Sequence, residues 1–336
     1  MPRLGVVGTL VWDTIYDRPG SRADPIEEWG GIAYSLASCD AALSDNWSLF
    51  PIVKVGQDMR DSANEFPKGL VHLDSLDDLR TVAEPNNRVE LVYVDEARRQ
   101  ETLSGGVPGW TLEELLPVAR SCDALYVNFL AGWELDLQTA SVLRGAITGP
   151  TYVDLHSLML DLGSDGTRNL RPLRDWRSWL TCFDIVQVNE DELTMLADGR
   201  NDPWVLAARV IGPATRGLLV TMGDRGSTWV STRDFAESPL EYCGYVQPSG
   251  PRGPMAMGRV PSETRVRDGD PTGCGDVWGG TCFSHLLAGA DLNASMRAAG
   301  RAGGRNAEFR GAARLSAYLQ SPSGVSTGVL ETGTIL

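Results

Sequence analysis

Short apolar runs recur along the chain at 4–10, 47–55, 124–130, 151–156, 185–189 and 217–221. They are rich in Val, Leu and Ile and alternate little, as strands do when neither face meets water. Between them, 134–147 and 190–197 have helical character, and a short polar helix is expected after Gly56-Gln57-Asp58. Strand, helix, strand in this order predicts a parallel sheet covered on both faces. Residues 86–104 follow another rule. Val89, Leu91 and Tyr93 alternate with Glu90, Val92 and Val94, between polar ends at Asn86-Asn87-Arg88 and Asp95-Glu96. Period two marks strands with one wet face, so an antiparallel flap is expected.

The remaining segments read as connections and closing helices. Residues 17–29 are polar, with Pro19, Gly20 and Pro25, and predict an exposed excursion. The 223–230 stretch predicts a turn into a short strand. Residues 244–262 hold several Pro and Gly without a period, which predicts a long loop. Helices rich in small residues are expected over 294–309 and from 311 to 319. The Ser-, Gly- and Thr-rich tail beyond Ser321 is expected to fray.

Composition limits the partners. A chain of 336 residues can bury a large core, in one domain or two. The formal charge of −14 lacks the basic footprint that a phosphate backbone needs, so nucleic acid is not expected as a main partner. Nucleotides remain open, because local glycines and helix ends can hold them. No apolar run approaches the roughly 20 residues of a membrane span. The first eight residues, Met1 to Gly8, read as a strand and not as a signal peptide. The six cysteines form no CxxC pair and no zinc spacing, which suits reduced thiols in a cytoplasmic protein.

Candidate chemistry concentrates in Asp270-Pro271-Thr272-Gly273-Cys274-Gly275-Asp276, ahead of a stretch at 277–287 that can be helical. Glycines let backbone N–H groups converge, since no Cβ blocks the approach. At a helix N-terminus those groups have no internal partner, and the dipole favours negative charge. A bound phosphate would repel an acid just behind such a cradle. The acid makes sense if it acts on a hydroxyl, accepting the proton as that oxygen attacks phosphorus. A Gly-rich turn that simply starts a helix has the same residues, so the motif alone leaves both readings open. Asp13 lies just past the first strand, where open α/β sheets place ligand groups. Gly30-Gly31 opens a small-residue helix and would let a ligand approach the backbone.

Four segments together carry a family resemblance. Asp270 to Asp276 resembles the Asp-Thr-x-Gly-Ala-Gly-Asp motif of the PfkB/ribokinase carbohydrate and nucleoside kinases. Asn189-Glu190-Asp191-Glu192, straight after a strand, resembles their Asn-x-x-Glu. Thr221-Met222-Gly223-Asp224-Arg225-Gly226 resembles their Thr-Leu-Gly-x-x-Gly turn. Asp13 with Gly30-Gly31 resembles the sugar-binding N-terminal half. Order and spacing agree over residues 4–319.

The resemblance implies one ribokinase-like α/β domain over 1–336, a Rossmann-like doubly wound, mostly parallel sheet. A small β lid would come from strands within 10–35 and 86–106. The implied reaction moves the γ-phosphoryl of ATP to a hydroxyl, with Mg²⁺. Asp276 would be the base, and the amides of Gly273, Cys274 and Gly275 the anion hole. Glu192, with Asn189, would orient Mg²⁺-bound water and the phosphates. Thr221, Gly223 and Gly226 would line the nucleotide, with Gly303 and Asn306 beside the adenine. Asp13, Gly30, Gly31, Ser35, Arg88 and Asn128 would serve the acceptor, and His156 could reach it from a strand end. Asp270 matches a position that in many relatives sits by a monovalent cation such as K⁺. Relatives also often pair as homodimers through the lid.

The implied acceptor is a sugar or sugar-containing small molecule. A nucleoside acceptor is one alternative, which aromatic lid residues such as Tyr34 or Tyr93 would favour. A nucleotide- or sugar-binding regulatory protein without turnover is the other. Two departures bear on the site. Pro271 replaces the usual Thr and removes a backbone donor. Ser35 stands where many sugar kinases have Asn. Gly279 and Gly280 each cost a helix about 1 kcal/mol relative to Ala, which predicts close packing there.

Overall fold

A computed structural model describes residues 1–16, 24–77, 79–93, 99–197, 202–244, 253–263, 266 and 269–321. The strands among them are β1 (Arg3–Tyr16), β2 (Ile26–Gly31), β3 (Ser48–Gly56), β4 (Leu79–Val82), β5 (Arg88–Tyr93) and β6 (Arg99–Ser104). They continue with β7 (Ala124–Asn128), β8 (Thr151–Asp154), β9 (Ile185–Asn189), β10 (Gly217–Thr221), β11 (Ser227–Thr232) and β12 (Met255–Val260). The main sheet runs β12-β11-β10-β9-β8-β7-β1-β3-β4. From β10 to β4 every pairing is parallel, and β11 and β12 add on antiparallel. The apolar runs are these parallel strands, and β3, β7 and β8 are buried along their whole length.

Alternate residues of each parallel strand feed two cores. Leu49, Val53, Ala124 and Tyr126 face helices Ile32–Ala42, Cys274–Leu287 and Leu292–Ala307. Phe50, Ile52, Leu125 and Val127 face helices Leu112–Ala119, Leu137–Ala146 and Pro203–Val210. This is a doubly wound α/β sheet. Several helices start where an acid caps them: Asp136 accepts from the Thr139 amide, and Asp291 from that of Ala294. The predicted close packing at Gly279 and Gly280 is there. A Cβ at Gly279 would stand 2.5 Å from Gln187 Oε1, and one at Gly280 2.2 Å from Ser38 Oγ.

The lid grows from β1, which is twice as long as the apolar run predicts. Its first half pairs with β3 and β7 in the main sheet. Its second half leaves that sheet and pairs with β2 antiparallel and β5 parallel; β6 completes the lid beside β5. Val11, Ile15, Val89, Leu91, Tyr93 and Leu103 form its small core. The end of the predicted excursion at 17–29 is therefore strand β2. Trp29 outweighs its polar surroundings, packing edge-on to Trp12 at 5.2 Å and donating from Nε1 to Ser62 Oγ. Residues 255–260 of the predicted 244–262 loop are likewise strand β12. It holds its place as a sheet edge by pairing with β11, a signal that local periodicity does not carry. The predictions for 17–23, 245–252 and the tail beyond Ser321 lie outside the described residues.

Candidate active site

The 270–276 segment stands between two cavities. It turns at Gly273, the N-cap of helix Cys274–Leu287, where φ is 74°. A Cβ at that position would lie 2.4 Å from the Tyr34 ring, so both backbone angle and close approach demand glycine. Cys274 spends its amide on the turn itself, donating to the Pro271 carbonyl at 3.1 Å. Among the described residues, no backbone carbonyl takes the amides of Gly273 or Gly275. The larger cavity, about 440 Å³, is lined from this segment by Pro271, Cys274 and Gly275. The smaller, about 60 Å³, is lined by Thr272, Gly273 and Asp276. Successive residues of one turn thus face opposite ways.

The larger cavity has a largely apolar wall of Val260, Val266, Trp278 and Met296. Thr221, Gly223, Gly226 and Gly303 line it as well. Arg297 and Arg301 also line it, and both pair with Glu263, at 3.3 and 3.2 Å. Asn306 is fully buried behind it, where Nδ2 donates to the Thr272 carbonyl at 2.7 Å.

The smaller cavity lies under the lid. Val11, Asp13, Gly31, Val89, Leu91 and Glu101 line it from the lid, and Tyr34 and His156 from the body. Gly30 is set behind Asp13, where a Cβ would lie 1.7 Å from the carboxylate. Burial raises the Tyr34 hydroxyl pKa well above its ordinary value, and Asp13, Asp270 and Asp276 add to the shift. Asn128 and Ser35 are fully buried and stand behind Asp276. Asn128 Nδ2 donates to Asp276 Oδ1 at 2.6 Å and to Ser35 Oγ at 3.0 Å. Arg88 is outside the cavity altogether, half-exposed, and binds Asp58 at 3.0 Å.

Glu192 and Asn189 line neither cavity. They form a reciprocal capping box at the start of helix Glu190–Leu196, with Glu192 Oε2 accepting from the Asn189 amide at 2.8 Å. Oε1 accepts from Asn189 Nδ2 at 2.8 Å and faces His156 Nδ1 at 3.3 Å. Burial alone would lower the imidazole pKa, but Glu192 and Asp154 raise it to about 9. Asp154 is pushed well above the carboxylate range by burial and by Glu192. Gln187 joins this cluster to the turn, donating to Asp154 Oδ2 at 2.7 Å and to the Gly275 carbonyl at 3.1 Å.

The fold matches known structures. A putative ribokinase II of E. coli, in complex with ATP and Mg²⁺, superposes with a TM-score of 0.69 at 15% identity, covering 95% of this chain and 99% of that one. The chain has the ribokinase-like fold. Ribokinase of Thermotoga maritima gives a TM-score of 0.66 at 16% identity, over 95% and 99% of the two chains. A nucleoside kinase of Burkholderia thailandensis in complex with inosine gives 0.65 at 15%, over 94% and 96%. No protein-family model matches the chain, and no curated protein matches it in sequence. No helix among the described residues is long and apolar enough to cross a membrane.

Within this ribokinase-like fold, the monovalent cation expected at Asp270 meets a poor donor set. Asp270 Oδ1 accepts from Tyr93 Oη at 3.0 Å and from the Thr272 amide at 2.9 Å. The Thr272 carbonyl accepts from Asn306. A cation needs a shell of oxygens, and among the described residues hydrogen-bond donors converge on Asp270 Oδ1 instead. Sequence reasoning passed over Glu101, Asp154 and Gln187. Glu101 reaches the cavity through the β5–β6 register, which pairs it with inward-facing Leu91. Asp154 and Gln187 sit inside apolar runs and differ from core residues only through their contacts.

Proposed function

We propose that the protein is an ATP-dependent kinase that phosphorylates a hydroxyl of an acceptor the size of one sugar. The carrying observation is the 270–276 turn, which presents Cys274 and Gly275 to one cavity and Asp276 to the other. A donor phosphate and an acceptor hydroxyl can therefore meet at a single helix N-terminus. At about 440 Å³ with apolar walls, the larger cavity suits a nucleotide base better than bare pyrophosphate. The smaller, at about 60 Å³, has room for about four to six waters, which is near the bulk of one monosaccharide. A nucleoside would need considerably more. Asp13 and Glu101 can accept hydroxyl protons; no Lys or Arg is among the described lining residues, and the His156 imidazole, raised to about 9, is held by Glu192. The acceptor is accordingly an unphosphorylated sugar.

In this reading Asp276 accepts the hydroxyl proton as the oxygen attacks phosphorus, and Asn128 fixes the carboxylate that does so. The Gly273 and Gly275 amides and the dipole of the 14-residue helix stabilise charge on the transferred group. No group of three acids, His or Cys among the described residues could ligate Mg²⁺ directly, but the charges of Glu192 and Asp276 both act on buried Asp154, and a divalent ion held there would relieve that repulsion. Both Glu192 oxygens are already hydrogen-bonded, so Glu192 and Asp154 would hold the ion through water. When bound, the ion draws charge off the phosphates.

The test is product release from ATP and Mg²⁺, or from pyrophosphate and Mg²⁺, across sugars, phosphosugars and nucleosides. Turnover of an unphosphorylated sugar with ATP is expected. Binding of ATP without turnover of any acceptor would return the protein to a regulatory binding role.

A further inference from the structure

Tyr93 ends lid strand β5, yet its hydroxyl bonds outside the lid. Oη donates to Asp270 Oδ1 at 3.0 Å, in a buried contact. The same oxygen accepts the Thr272 amide at 2.9 Å. Asp270 is held from behind as well, its own amide donating to the Ala307 carbonyl at 2.9 Å. One residue therefore joins the lid and the turn between the cavities through its carboxylate, and the end of helix Leu292–Ala307 through its amide. Val89 and Leu91 of the same strand line the acceptor cavity, so an acceptor seated there touches the strand that carries Tyr93.

A buried carboxylate must be compensated, and a phenol O–H to an anion is a strong, directional donor. Pro271 has no amide with which to help. We propose that Tyr93 is a positioning residue for phosphoryl transfer: the lid orders the 270–276 turn through the Tyr93–Asp270 hydrogen bond, which stands in for a monovalent cation. This rests on the kinase reading above. Loss of the hydroxyl leaves that Asp270 oxygen with the Thr272 amide alone, and the carboxylate then recruits a cation from solution.

The experiment compares the full-length protein with Tyr93→Phe in KCl and in choline chloride at equal ionic strength, with ATP, Mg²⁺ and a sugar that the wild type turns over. Wild-type rates are expected to agree within about twofold between the two salts. In choline, Tyr93→Phe should lose about tenfold in kcat, as removal of a charge-assisted bond implies. Its acceptor KM should change little, and KCl should restore part of the rate. Thermal unfolding supplies a readout independent of turnover: KCl should raise the Tm of Tyr93→Phe relative to choline and leave that of the wild type unchanged. A wild type stimulated tenfold by K⁺, or a Tyr93→Phe equal to wild type in choline, overturns the proposal and leaves the kinase reading standing. If Tyr93→Phe fails to fold, the wild-type salt comparison still decides the cation's role. A wild type that turns over no acceptor removes the kinase reading, and this role of Tyr93 with it.

Discussion

The two cavities share a wall and are built on opposite principles. The larger is broad and largely apolar, walled by Trp278, Met296 and glycine backbone, and its charged residues balance, Arg297 and Arg301 against Glu263 and Asp224. The smaller is narrow and acidic, with Asp13, Glu101 and Asp276 facing a volume of about 60 Å³. A site of the first kind selects by shape and area, and one of the second by hydrogen bonds that a wrong ligand leaves unmade. Donor recognition should therefore tolerate change in side-chain chemistry but not lost space. Acceptor recognition should behave in reverse.

The sharpest test falls on the wall itself. Asp276→Asn keeps size and removes the proton acceptor, so kcat should drop about 10²-fold or more while ATP binding by calorimetry stays near wild type. Near-normal turnover in that variant would mean that another group is the base. Next comes the donor side. A Cβ at Gly300 meets nothing within 4 Å, and the residue lines the larger cavity. Gly300→Leu should fill that space and raise the donor KM about tenfold, leave the acceptor KM alone, and add up to about 1 kcal/mol of helix stability. A fall in Tm or a shifted acceptor KM would break the division between the cavities.

On the acceptor side, Glu101→Gln alters chemistry and not volume. Acceptor KM should rise by about tenfold or somewhat less, with the donor KM unchanged, as expected for one hydrogen bond to a charged group. Steady-state kinetics in both substrates checks this. The smallest effect lies outside both cavities. A hydrogen bond from Lys54, followed by one from the Thr111 amide, lowers the Glu114 pKa from 4.5 to about 2. A carboxyl lowered on folding stabilises the protein above its unfolded value and loses that contribution as pH falls. Glu114→Gln should cost about 1 kcal/mol at neutral pH, discounted for its partial exposure, with the gap to wild type closing between pH 4.5 and 2. Denaturant titrations at several pH values report it, and both KM values should stay put.

Much of the donor side was legible from the chain. Glycines at 223, 226, 275 and 303 line the larger cavity, and positions where the chain needs glycine carry a local signature whatever surrounds them. The parallel strands were legible too, because burial on both faces leaves an unbroken apolar run. The acceptor side was legible only in part. Asp13 and Gly31 do line the smaller cavity. Asn128 and Ser35, expected to touch the acceptor, stand behind Asp276, and Arg88 is turned to Asp58. A side chain's partner across a hundred residues leaves no mark on its neighbours in sequence.

The 270–276 turn shows both sides of this. Sequence by itself determined that residues 270–276 turn into a helix start, since glycine stereochemistry and the unpaired amides of a first helical turn are local properties. It also determined the doubly wound sheet, through the period of its apolar positions. Only the tertiary structure decided that Gly275 and Asp276 face different cavities, that Glu101 joins Asp13 under the lid, and that Asp270 is bound by Tyr93. Those pairings depend on where β1 leaves the main sheet and on the register of β5 and β6, and long-range register is a property of the packed chain.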